Sequence, residues 1–182
     1  LTGDAQTHTG TTDSYTPSSL DFSGLGTFIG AYYGTTNYTF NGNIDEVAVW
    51  AVALAADDVA KIASKPVDFS KASTYATDRT ANLKLWLRAG DKVLPESDAS
   101  IARSDFYTDF DGTDQYVDCG NDSSLQLAGD MTITGWINPT GTTSGRPLVF
   151  KRDGGGTNYQ LAMDKRPTNI MILIGGSSDN IS

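Results

Sequence analysis

The stretch from Phe40 to Trp50 constrains this chain more than any other. It runs Phe40-Asn41-Gly42-Asn43-Ile44-Asp45-Glu46-Val47-Ala48-Val49-Trp50. A glycine turn thus opens a segment that is apolar on both faces, the pattern of a strand covered on each side. Ala53 to Ile62 then reads as the one short helix, over 55–63, with Val59, Ile62 and Ala63 at helical spacing. Its Asp57 and Asp58 fall in the first turn, where they favour the helix dipole, and Lys65-Pro66 ends it. Elsewhere the periodicity is that of strands: 26–32, 83–88, 115–119, 131–137, 147–151, 159–163 and 170–174, with Gly154-Gly155-Gly156 as a hairpin loop. Abundant Gly, Ser, Thr and Asp suit a chain of many turns and half-buried strands. The pattern predicts an all-β fold, an antiparallel two-sheet sandwich with one short helix.

Residues 40–62 resemble the closing signature of laminin G-like, concanavalin A-type jelly-roll domains, a glycine turn, I-D-E-V, a tryptophan and a short acidic helix. The pattern that opens such domains comes later, at Tyr107-Thr108-Asp109-Phe110-Asp111-Gly112-Thr113-Asp114-Gln115-Tyr116-Val117-Asp118. It is followed by Asp130 to Pro139, by Leu148 to Arg152 and by Asn158 to Leu161, which are similar to the family's next strands. The resemblance covers about residues 25–64 and 83–175 and implies the jelly-roll winding. This order implies that 1–64 is the C-terminal half of one domain, 65–82 a polar linker, and 83–182 the N-terminal half of the next. The family's central strands are missing between the halves, so neither half is expected to close its own core. Chain outside this sequence, or a neighbouring copy, would then complete each half. A circular permutation, with 1–64 completing 83–182 as one sandwich, is the alternative. The connector, Lys65 to Lys71 and then Leu83 to Asp91, resembles those between tandem laminin G-like repeats of marine phage virion proteins.

These resemblances imply a non-enzymatic virion structural or appendage protein used for assembly or for attachment to host-surface glycans. Its place would be the virion surface or the extracellular space, and its partners other copies or repeats and cell-surface glycans. The alternative is a carbohydrate-binding module of a secreted bacterial hydrolase or adhesin. Catalysis is not expected. Glycosidases of this fold carry two carboxylates on one strand, but Glu46 and Glu96 are the only glutamates and stand far apart, and His8 is the only histidine. A formal net charge of -9 argues against nucleic acid. No apolar run approaches the roughly 18–20 residues of a membrane span, so membrane insertion is not expected. Leu1-Thr2-Gly3-Asp4 lacks the features of a signal peptide, and the chain is expected to begin within a longer protein. Cys119 is the single cysteine, which leaves no intrachain disulfide.

Two sets of residues are candidates for binding. Asp109, Asp111 and Asp114 surround the Gly112 turn and make an oxygen-rich set of the kind Ca2+ takes; the same Asp-Gly pair also fits an ordinary β-turn. Asp45 alternates with Val47 and Val49, so it is expected to face the core with them. There it would either accept backbone N–H bonds or serve as a further calcium ligand. Tyr32, Tyr33, Asn37 and Tyr38 flank a Gly-Thr loop and are the candidate glycan site, since aromatic rings stack on sugar faces and amides bind hydroxyls. Trp50, Trp86 and Trp136 are expected as core or interface anchors.

Overall fold

The computed structural model describes residues 26–32, 38–64, 68–88, 107–127, 129–140, 146–152, 157–163, 170–174 and 177–181. The fold is all-β, two antiparallel sheets and one short helix, as the sequence predicts. In chain order the elements are β1 Thr27–Ile29, β2 Asn41–Trp50, α1 Ala56–Ser64, β3 Leu83–Leu87, β4 Thr108–Asp111 and β5 Val117–Asp118. They are followed by β6 Thr132–Pro139, β7 Arg146–Arg152, β8 Thr157–Met163, β9 Ile170–Ile174 and β10 Ser177–Ile181. One sheet has the order β10-β9-β8-β7-β1-β5; the other has β3-β2-β4, with β6 also paired to β2. The hairpin loop expected at 154–156 lies outside the described residues. Among the described residues no helix is long and apolar enough to cross a membrane.

The strands do not respect the expected division at 64 and 83. β1 lies between β5 and β7, with Phe28 opposite both Asp118 and Phe150, and β2 pairs with β3, β4 and β6. Each sheet is therefore built from both stretches of chain. Compact units follow the same logic: one gathers Leu1–Gly42, Phe110–Ala128 and Pro139–Ser182, the other Asn43–Asp109 and Gly129–Asn138.

In the first unit the core is Phe28, Ile29, Phe40, Phe110, Leu148, Val149, Phe150 and Tyr159, all buried. Gly30 ends β1 with φ +83, and a Cβ there would stand 2.5 Å from the Phe110 ring. Only glycine satisfies both the backbone and the ring. Lys151 is also fully buried, opposite Thr27 on one side and Tyr159 on the other, and its Nζ donates to Asn121 Oδ1. Burial pulls this amine below the ordinary lysine range and pushes the Tyr159 phenol, which donates to the Leu125 carbonyl, up to about 12.

The second unit is organised by β2. From Glu46 to Trp50 every residue is buried, as a strand covered on both faces requires. One covering layer was expected to be a linker. Residues 68–82 instead form two single 3-10 turns, Ala72–Thr74 and Thr80–Asn82, and fold onto the strand. Phe69 and Tyr75 are buried with Ala48, Trp50 and Ile62. Trp50 meets Phe69 edge-on at 5.2 Å, and Phe69 lies 5.1 Å from Trp86. Trp50 Nε1 donates to the Tyr75 hydroxyl at 3.2 Å, which itself donates to the Phe69 carbonyl at 2.7 Å. A polar composition hid this layer, because two well-placed rings suffice to cap an aromatic strand.

The helix also turns differently from its expected face. Val59 is exposed, and Ile62 and Asp58 are the buried pair, four residues apart. Asp58 does not simply serve the helix dipole. Its carboxylate accepts from the backbone N–H of Ala76 at 2.7 Å and of Thr77 at 3.3 Å, and from Arg79 Nε at 3.1 Å. Burial alone would raise its pKa; Arg79 and the two amides outweigh burial and hold it below the ordinary value of 3.8.

Two measurements follow from these contacts. Gly30→Ala is expected to lower unfolding free energy by about 2–4 kcal/mol, the sum of left-handed backbone strain and overpacking. Gly120→Ala, with φ +72 and nothing within 4 Å, bears only the backbone part and should cost about 1–2 kcal/mol by urea denaturation. A folded-state pKa below the unfolded one means that Asp58 stabilises fully above the unfolded value and loses this as pH falls through the folded one. Acid titration of stability should therefore show a shallower loss below about pH 4 in Asp58→Asn than in the parent; equal slopes would remove Asp58 from the acid response.

Candidate functional site

The tyrosine loop sits in the first unit. Gly30 O accepts from Phe40 N–H at 2.7 Å, and Ala31 bridges Thr39, so the loop's two ends are tied together. Arg146 Nη1 donates to the Thr39 carbonyl at 2.7 Å and braces the outgoing end. Tyr32 rests on buried Phe150, ring centroids 4.2 Å apart, and Tyr38 meets Tyr32 edge-to-face at 5.9 Å. Tyr38 has φ +62, a conformation an aromatic residue adopts rarely, yet the residue is 58% exposed. Of the four residues expected here, Tyr32 and Tyr38 come together; Tyr33 and Asn37 lie outside the described residues.

The aspartates are distributed differently. Asp111 Oδ1 accepts from Thr113 N–H at 2.8 Å across the Gly112 turn, and its own N–H donates to Gln115 Oε1 at 2.9 Å. This is the β-turn reading of the Asp-Gly pair. Asp114 is exposed beside it. Asp109 is exposed on β4 and accepts from Asn43 Nδ2 at 3.1 Å. Among the described residues no three His, Cys, Asp or Glu side chains come together as a metal site would need.

Asp45 does not face the core, and the reason is its neighbour. Glu46 has φ +50, a left-handed residue inside a strand, which breaks the alternation. Gly42 and Ile44 therefore share the buried face with Val47 and Val49, while Asn43 and Asp45 turn outward and are half-buried. The Asp45 carboxylate accepts the Glu46 N–H at 2.8 Å, a local bond that supports the irregular backbone.

The buried carboxylate belongs instead to Glu46. Its Oε2 accepts from Trp86 Nε1 at 2.5 Å, its Oε1 lies 3.5 Å from Arg88 Nε, and the guanidinium sits 4.8 Å over the Trp86 ring. The I-D-E-V motif and the L-K-L-W-L-R strand are thus clasped together. Sequence spacing gave no sign of this, since forty residues separate the partners. Trp86 is half-buried and Trp50 fully buried, as anchors should be, but Trp136 is 53% exposed. Burial first, then Asp118, pushes the Cys119 thiol up to about 11.

No family model, curated protein or solved structure matches this chain.

Replacing Glu46 separates its strain from its contacts. Glycine relieves about 1–2 kcal/mol of left-handed backbone cost, but leaves the Trp86 N–H and Arg88 without this carboxylate, at about 1–3 kcal/mol each. Glu46→Gly should therefore be less stable than the parent, and Glu46→Ala less stable again by about 1 kcal/mol. A Glu46→Gly protein more stable than its parent would show that the clasp contributes less than the strain.

Proposed function

We propose that this chain is part of a non-enzymatic structural or appendage protein, laminin G-like in its jelly-roll winding, that attaches to surface glycans. The observation that carries this reading is Tyr38. A strained backbone that holds a ring out to solvent costs stability twice, once in φ and once in unburied apolar surface. Such a cost is understandable where the ring has work at the surface, and strained residues cluster at ligand contacts. Tyr32, itself resting on Phe150, backs the ring, so it presents a fixed face to a sugar instead of a mobile one. Rigid tyrosine gives contact area at low entropic cost and keeps a hydroxyl for polar contact. The motif order and the connector after α1 support a repeat protein of a virion surface as its setting.

Binding of the labelled chain to an immobilised glycan library tests this directly. The parent should be retained on at least one glycan, and Tyr38→Ala should weaken that retention roughly tenfold, equivalent to about 1.4 kcal/mol, with its thermal midpoint not lowered. Tyr38→Phe should retain most of it. Retention on no glycan, or equal retention of Tyr38→Ala, would sink the attachment reading.

A further inference from the structure

We infer that the outer face of β2, β4 and β6 carries a second binding surface, for an uncharged polysaccharide. It lies in the second unit and stands independently of the tyrosine loop. Four contacts fix its layout. Asn138 Nδ2 on β6 donates to Asn43 Oδ1 on β2 at 3.4 Å, and Asn43 Nδ2 donates to Asp109 Oδ1 on β4 at 3.1 Å. Further along, Gly135 lies against Val47, where a Cβ would be 3.3 Å from Cγ2, and Thr132 Oγ1 donates to the Val52 carbonyl at 2.9 Å. β6 therefore runs antiparallel to β2, and counting two residues from the Asn138–Asn43 contact brings Trp136 beside Asp45. Trp136 and Asn138 are two apart on one strand, so they share a face, and Asn43 and Asp45 share it from β2.

The outer face has two halves. Toward Trp50 it is covered by α1, Phe69, Tyr75 and Trp86. Toward Asn43 the described residues leave it exposed: Trp136 is 53% exposed, and Asn138 and Asp109 are exposed beside it. A half-exposed indole forgoes part of the stabilisation that burying a large apolar side chain supplies. Beside it, the row Asn138–Asn43–Asp109 is held in place by its own hydrogen bonds. Those bonds use one hydrogen of each amide and one oxygen of Asp109; the second amide hydrogens, Asn138 Oδ1 and Asp109 Oδ2 take no part in them. A pyranose ring fits this pairing: its apolar face covers the indole and its hydroxyls meet fixed amide and carboxylate groups.

Charge selects among sugars. Asp45 and Asp109 lie on this face of a chain whose formal net charge is -9. Uronate or sulfated chains are repelled there, and a neutral chain is not.

Titration of the whole chain with cello-, manno- and xylo-oligosaccharides, and with oligogalacturonate as the charged comparison, tests the surface. The readouts are affinity and protection of Trp136 from N-bromosuccinimide, located by peptide mass. At least one neutral oligosaccharide should bind and protect Trp136, oligogalacturonate should not, and Trp136→Ala should weaken binding at least about tenfold. Trp136 is exposed, so this variant keeps its fold; Asn138→Ala is the second variant and should weaken binding with the ring intact. No protection by any neutral probe, stronger binding of oligogalacturonate, or unchanged affinity in Trp136→Ala overturns the inference. Binding lost in Tyr38→Ala but kept in Trp136→Ala would remove this surface and leave the tyrosine loop standing; the reverse result would do the opposite.

Discussion

Glu46 spends backbone energy to place one carboxylate, and the geometry of its unit depends on that exchange. A non-glycine residue with φ +50 costs about 1–2 kcal/mol. In return the side chain reaches Trp86 and Arg88 on the neighbouring strand. The same irregularity changes which residues of β2 are buried. Ile44 joins the valines, and Asn43 and Asp45 turn outward. Without it, strict alternation would bury Asp45 with the valines, at the desolvation cost an unpaired carboxylate bears. One residue thus decides which side chains of β2 lie in the core and which turn to the outer face.

Strand existence was legible because period-two patterns and glycine turns are local signals. β2 could even be recognised as covered on both faces, since Ile44 to Trp50 has few polar positions to spare. What covered it could not be read. Phe69 and Tyr75 lie in a polar stretch without a period, and their positions depend on Asp58, whose partners are 18–21 residues away. The orientation of Asp45 is not legible for a related reason: a left-handed glutamate has no sequence signature comparable to that of glycine. Trp136 sits in Thr-Ile-Thr-Gly-Trp-Ile, where indole and isoleucine compete for the inner face, and Gly135 against Val47 settles the contest. Of the expected tyrosine site, Tyr32 and Tyr38 were readable from their loop, whereas the support from Phe150 was not.

The pairing also has a kinetic side. Thr27 is opposite Lys151, and Val47 is opposite Leu87, so the inner strands of both sheets find partners far along the chain. Loop-closure entropy must be overcome before such contacts contribute, which places this fold among the slower ones. The local contacts of α1 with residues 76–79 and of β8 with β9 form without that delay.

β7 raises a problem that its burial creates. Pro147 to Lys151 are all buried, so this strand has no wet side to tell it which way round to lie. Apolar burial alone barely distinguishes the native alignment from one shifted by a single residue, because a slip exchanges one buried set for the other. Lys151 removes that ambiguity. A slip would carry its amine to the opposite face, away from Asn121, and strand a buried cation there. The lysine is thus the marker by which an otherwise symmetric strand knows its own alignment.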